Sequence, residues 1–167
     1  MRLNLLPLVF ILAAGCATAP SDQTHFTRPA NLFPADGFVT QRAVFSARGR
    51  QFPLNGYLAL SKTGGKRLVI TENFGHVVAD VLVKPNGDVF VMRSSQMFPP
   101  EYIRRGIAVD LQCVFGEATN ADCPVEMPGP DHFIIKRHGY NVDLRILSVK
   151  SGPRPAELFD ASKAETK

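Results

Sequence analysis

From residue 38 onward, apolar and polar positions alternate with a period of two between Gly- and Pro-containing turns. That is the pattern of strands half-buried in an antiparallel sheet. Residues 39–48 read as a first strand. In 51–61, Phe52, Leu54, Gly56, Leu58 and Leu60 share one face, and Pro53, Asn55, Tyr57, Ala59 and Ser61 the other. Thr63-Gly64-Gly65-Lys66 reads as a hairpin turn, followed by a short strand over 67–71. In 76–84, Val77, Ala79, Val81 and Val83 fall on one face, and Val78 and Leu82 join Asp80 on the other. Asn86-Gly87 predicts a type I′ hairpin, whose two central residues need positive φ. The chain returns through 89–93. A last hairpin, 133–137 and 140–150, turns at His138-Gly139.

The period changes once. Pro99-Pro100-Glu101 suits a helix start, and Ile103, Ile107 and Leu111 follow four apart, which predicts a helix over 100–115. Ala108 and Val114 widen its apolar stripe, and Arg104, Arg105 and Asp110 lie away from it. Segment 116–130 reads as a loop. Residues 151–167 read as a polar tail with a short helical turn at 156–161.

These elements predict a mainly β (α+β) fold: an unclosed antiparallel half-barrel of about seven to nine strands with one helix in or over its concave face. One face of such a sheet has to be covered, and one helix cannot cover all of it. An apolar concavity is the expected result. Phe52, Leu54, Leu58, Leu60, Val77, Val81, Val89 and Val91 on the strands, with Ile103, Ile107 and Leu111 on the helix, are its candidate hydrophobic ligand-binding residues. The same side chains would serve a packed core equally well.

The N-terminus sets the expected compartment. Met1-Arg2 is followed by a mostly apolar run, Leu3 to Ala14, and then Gly15-Cys16. A charged start, a short apolar stretch and small residues form a secretory signal, too short to span a bilayer. A Cys directly after small residues resembles the lipobox of bacterial lipoproteins, which implies cleavage before Cys16 and lipid attachment to its thiol. Ala17, rather than Asp, after that Cys implies the outer membrane, facing the periplasm. The expected organisation is a signal at 1–15, a lipidated Cys16 and Pro-containing tether at 16–36, the half-barrel at 37–150 and the tail at 151–167. Phe26, Leu32 and Phe33 give the tether apolar side chains able to dock on the domain.

Composition narrows the chemistry. With 45% hydrophobic residues the chain is not disordered. Its excess of cations, 19 − 15 = +4, is dispersed along the sequence and gives no nucleic-acid signature. In an oxidising periplasm, Cys113 and Cys123 suit a local disulfide. His25, His76, His132 and His138 are scattered without metal-ligand spacing, and Ser94-Ser95 lies in no nucleophile elbow. Asp80, Asp88, Glu101 and Asp110 form no legible acid–base pair and read as solvated charges. No enzyme activity, metal or cofactor is expected.

Several segments together resemble the LolA/LolB-like outer-membrane lipoproteins, nearest to their short LolB-like members. They are Cys16 behind its lipobox, Gln51-Phe52-Pro53-Leu54-Asn55-Gly56-Tyr57-Leu58-Ala59-Leu60, and Arg67-Leu68-Val69-Ile70 leading to Phe74-Gly75-His76. Met97-Phe98-Pro99-Pro100-Glu101-Tyr102-Ile103 and Ala108-Val109-Asp110-Leu111-Gln112 carry the helix. The resemblance covers about residues 40–115. It implies an unclosed barrel with a helical lid around a cavity for acyl chains, in a protein that serves lipoprotein traffic to the outer membrane. The expected partners are the membrane, through the anchor, and an acyl or lipoprotein cargo. The alternative is a lipoprotein subunit of an envelope complex that acts through protein contacts.

Overall fold

The computed structural model describes residues 32–116, 123–162 and 164. The signal segment, Cys16, His25 and the first half of the tether lie outside them. Eight strands form one antiparallel sheet: β1 Gly37–Ala47, β2 Arg50–Ser61, β3 Gly65–Glu72, β4 Val77–Val83, β5 Val89–Arg93, β6 Val125–Gly129, β7 His132–Arg137 and β8 Tyr140–Ser151. Their spatial order is β5-β4-β3-β2-β1-β8-β7-β6, so the first and last strands pair at the centre. Every connection but one joins neighbours. The exception, β5 to β6, links the two open edges, and it carries the helix.

β6 falls within the segment expected to be a loop. Its five residues contain Pro128, which a central strand would not accept but an edge strand does. Only Val125 and Met127 signal its inward face, too little for a period to be read.

Register explains the core. Val39 pairs with Leu58, Leu58 with Leu68, Leu68 with Val81 and Val81 with Val91, which makes one apolar rung across five strands. All five side chains are buried. A bulge at the Ile70/Thr71 step of β3–β4 interrupts the alternation. Val78 is buried in the concave-face core, and Val77, expected on that face, stands outside the cluster.

The turn chemistry differs from the sequence expectation. At β4–β5 the Gly87 amide donates to the Lys84 carbonyl, which closes a turn with Pro85 at its second position, and only Gly87 has positive φ. Pro85 fixes a negative φ that favours this wider turn over a two-residue one. The two-residue hairpin occurs instead at Arg48-Gly49, where φ is 50° and 73°. Arginine rarely takes that left-handed conformation.

The helix runs in three registers: α1 Pro100–Tyr102, a π-helical turn Ile103–Ile107, and α2 Ala108–Phe115. The wider π turn breaks the simple 3.6-residue phase. Asp110, expected on the outer side, is nevertheless buried with Leu111 and Val114, because it stands three residues after Ile107 and four before Val114, on the same helix face. Gly106 also faces inward, where a Cβ would stand 3.1 Å from the Tyr140 hydroxyl. The helix end is tied by the Cys113–Cys123 disulfide, with Cα atoms 5.5 Å apart.

Two further segments seal the domain. Leu32 and Phe33, at the end of the tether, pack on the concave-face core, with the Phe33 ring 4.6 Å from that of Phe115. At the other terminus a 3-10 turn, Ala156–Phe159, lays Phe159 on Ala59 and Leu82 of the convex face. Gly64 makes room there, since a Cβ would meet the Phe159 ring at 2.6 Å. The Arg67 guanidinium and Lys84 ammonium hold the carbonyls of Leu158 and Phe159.

Reduction of the disulfide is expected to cost about 2.7 kcal/mol, the loop-closure entropy of so short a span. Urea denaturation of Cys123→Ser and of the wild type with and without reductant measures it. Arg48→Asn should stabilise by roughly 0.5–1 kcal/mol, because Asn tolerates the left-handed turn. A lowered urea midpoint would contradict that account.

Candidate functional site

Between the concave face and the helix lies a cavity of about 80 Å³. Its position follows from side-chain size. Gln41 pairs with Gly56, Gly56 with Ile70, and Ile70 with Ala79, while Ala43 occupies the next inward position on β1. Ala43 leaves space facing the helix, whereas the room above Gly56 is taken by the Gln41 side chain, whose Cγ and Nε2 stand 2.6 Å from where a Gly56 Cβ would be.

The walls are mainly apolar: Ala43, Phe45, Leu54, Leu68 and Ile70 from one part of the sheet, Ile135, Val142 and Leu144 from the other, and Phe98, Ile107, Leu111, Val114 and Phe115 from the helical segment. Gln41 is the exception on the floor. It is 6% exposed, and its Oε1 is buried without a hydrogen-bond partner among the described residues. A buried amide oxygen left in this state costs roughly 1–3 kcal/mol unless something donates to it.

One end of the cavity is polar. Asp110 is 7% exposed and accepts from Arg137 Nε at 2.6 Å and from the Tyr140 hydroxyl at 2.7 Å. It is not a solvated helix charge. Burial raises its pKa, with the hydrogen bonds from Tyr140 and Arg137 pulling the other way. Burial also raises the phenol pKa of Tyr140, and the neighbouring Asp110 adds to the rise. Tyr102, buried beside it, is raised for the same first reason. Phe45, Phe98, Tyr102 and Tyr140 stack around this end, with ring centroids 5.2–6.0 Å apart. The helix is thus held to β7 and β8 by one ion pair, one phenol and an aromatic cluster.

The structure divides the candidate ligand residues. Leu54, Ile107 and Leu111 line the cavity. Leu58, Leu60, Val81, Val91 and Ile103 are buried core, and Phe52 and Val89 pack against that core from partly exposed positions. Val77 is displaced by the bulge. The sequence reading missed Gln41, Ala43, Gly56 and the Asp110–Arg137–Tyr140 set. Gly56 was legible as a gap in the inward face of β2, but Gln41 looked like an ordinary polar strand residue.

The remaining polar candidates are accounted for elsewhere. Asp80 is also buried, and the Arg67 guanidinium grips both its oxygens at 2.7 and 3.0 Å. Its hydrogen bond to Asp80 is the leading cause that raises the Arg67 pKa. His76 pairs with Glu72 and His132 with Asp143 at exposed or half-exposed sites. Among the described residues no three His, Cys, Asp or Glu side chains converge on a metal site, and no helix is long and apolar enough to cross a membrane. The chain matches no protein-family model and no curated protein sequence.

Asp110 gives the site a pH signature. Its folded pKa lies above the ordinary value of 3.8. The stability it contributes is therefore fully present below that value and falls as pH rises through the folded pKa. Asp110→Asn is expected to flatten this part of the stability curve, measured as urea midpoints from acid to neutral pH. An unchanged slope would assign the titration to another group.

Proposed function

We propose that this chain is a lipid-anchored outer-membrane protein that takes an acyl or similar apolar chain into the space between sheet and helix and assists its transport or localisation. The observation that carries the reading is the cavity: a mainly apolar space beside Ala43, with a Gln41 amide oxygen on its floor that has no hydrogen-bond partner among the described residues. Burial is the driving force, at roughly 0.8 kcal/mol per methylene. A space of about 80 Å³ accepts a short alkyl segment. A longer chain requires the helix to lift, and the π turn at Ile103–Ile107 is a natural point for that movement.

Delivery to a bilayer has a structural counterpart. Phe74 is 88% exposed at the tip of the β3–β4 hairpin. A bare aromatic side chain on a protruding turn gains free energy by entering a membrane interface. Together with a lipid on Cys16, which lies outside the described residues, it would hold the cavity near the outer membrane. This job is the one implied by the resemblance to LolB-like lipoproteins.

Native mass spectrometry of the chain secreted with Cys16→Ser tests the reading. An adduct of lipid mass is expected, and Ala43→Leu, which fills the cavity, should lose it while keeping the wild-type circular dichroism. A protein that carries no adduct and binds no acyl fluorophore would shift the assignment to a subunit of an envelope complex.

A further inference from the structure

The sheet end that carries the Asp110 set opens on a second, polar recess. Because β1 pairs with β8, the Arg48-Gly49 turn lies beside the His138-Gly139 turn, with Ala47 opposite Tyr140 and Ser46 opposite Asn141. The recess holds about 350 Å³ and is lined by Arg48, Arg50 and Arg137 together with uncharged residues. No acidic side chain lines it. Arg48 and Arg50 form no ion pair with any described residue. Arg137 spends its Nε on Asp110, while its Nη2 is buried without a hydrogen-bond partner among the described residues.

Two further observations connect this cationic recess to a ligand. Tyr140 lines both the recess and the apolar cavity, and the Arg137–Asp110 hydrogen bond joins a residue of the one lining to a residue of the other. Arg48 sits at φ 50° in a turn that Asn or Gly would occupy with less strain. A strained backbone that presents a side chain to a site is the usual mark of a functional constraint.

We propose that the recess is the headgroup site of the ligand, and that the ligand is an anionic amphiphile. Its carboxylate or phosphate rests among Arg48, Arg50 and Arg137, and its single alkyl chain passes Tyr140 into the apolar cavity. This rests on the carrier reading above and adds the class of molecule carried. Guanidinium groups suit the site because their planar forks match carboxylate and phosphate oxygens. The open recess keeps the headgroup partly hydrated, and the dry cavity takes only the chain. The charge contacts are therefore sensitive to salt and the chain contacts are not.

The test is calorimetric titration of the full chain carrying Cys16→Ser with dodecanoate, dodecyl phosphate, dodecanol and inorganic phosphate, at low and high salt. The two anionic amphiphiles should bind about tenfold tighter than dodecanol at low salt, the size of two charge-assisted contacts at an exposed mouth. Added salt should shrink that advantage. The pair Arg48→Asn and Arg50→Gln removes two of the three cations and should cut the advantage to about twofold, with dodecanol affinity unchanged; both residues are surface turn or strand-end positions, so the fold tolerates the change. Equal binding of the anionic chains and dodecanol, or an advantage undiminished in the double variant, overturns the headgroup assignment and leaves the carrier reading standing. Inorganic phosphate binding as tightly as dodecyl phosphate would make the recess a free-anion site and also overturn it. Failure of every alkyl compound to bind overturns both readings together.

Discussion

An eight-stranded antiparallel sheet with one apolar face must remove that face from water, and this chain has a single helix with which to do it. Most of the molecule follows from that constraint. The strand order leaves β5 and β6 as open edges. The one connection between them carries the helix, so the cover and the closure of the half-barrel are the same piece of chain. The sheet is wider than the helix, and Leu32 and Phe33 from the tether add to the cover on that face.

Apolar contact alone would let such a helix slide. The Asp110 carboxylate, gripped by Arg137 and Tyr140, fixes its position over β7 and β8. A buried charge group of this kind contributes little net stability but penalises any arrangement that leaves it unpaired. Its spacing from Ile107 and Val114 sets Asp110 inward, and the disulfide holds the far end of the helix. Between these fixed points the short side chain of Ala43 on β1 leaves part of the cavity. The space is thus the residue of a mismatch between a regular sheet and an irregular lid.

The two pockets make a graded path. Cations line the open end, Tyr140 belongs to both linings, and mainly apolar walls with the Gln41 amide form the interior. An occupant that matches this gradient has a charged end and an apolar end. The convex face takes no part in it, since Phe159 and the Arg67–Asp80 pair already cover its middle.

The sheet, its antiparallel sense, the place of the helix and the Cys113–Cys123 pair were all legible in the amino-acid order. Those features are set by local periodicity, turn residues and short spans, which a linear reading registers directly. It also marked the apolar faces from which Leu54, Ile107 and Leu111 line the cavity. Only the tertiary structure decided which apolar residues face a space and which are packed, because that depends on the partner opposite each one. Leu58 and Gly56 share a face in the sequence, yet one meets Val39 and the other meets Gln41. The partners of Asp110 were equally hidden, because they lie 27 and 30 residues away. Edge strand β6 and the bulge at Val78 came from the same cause: long-range pairing overrode local preference where the local signal was a few residues long.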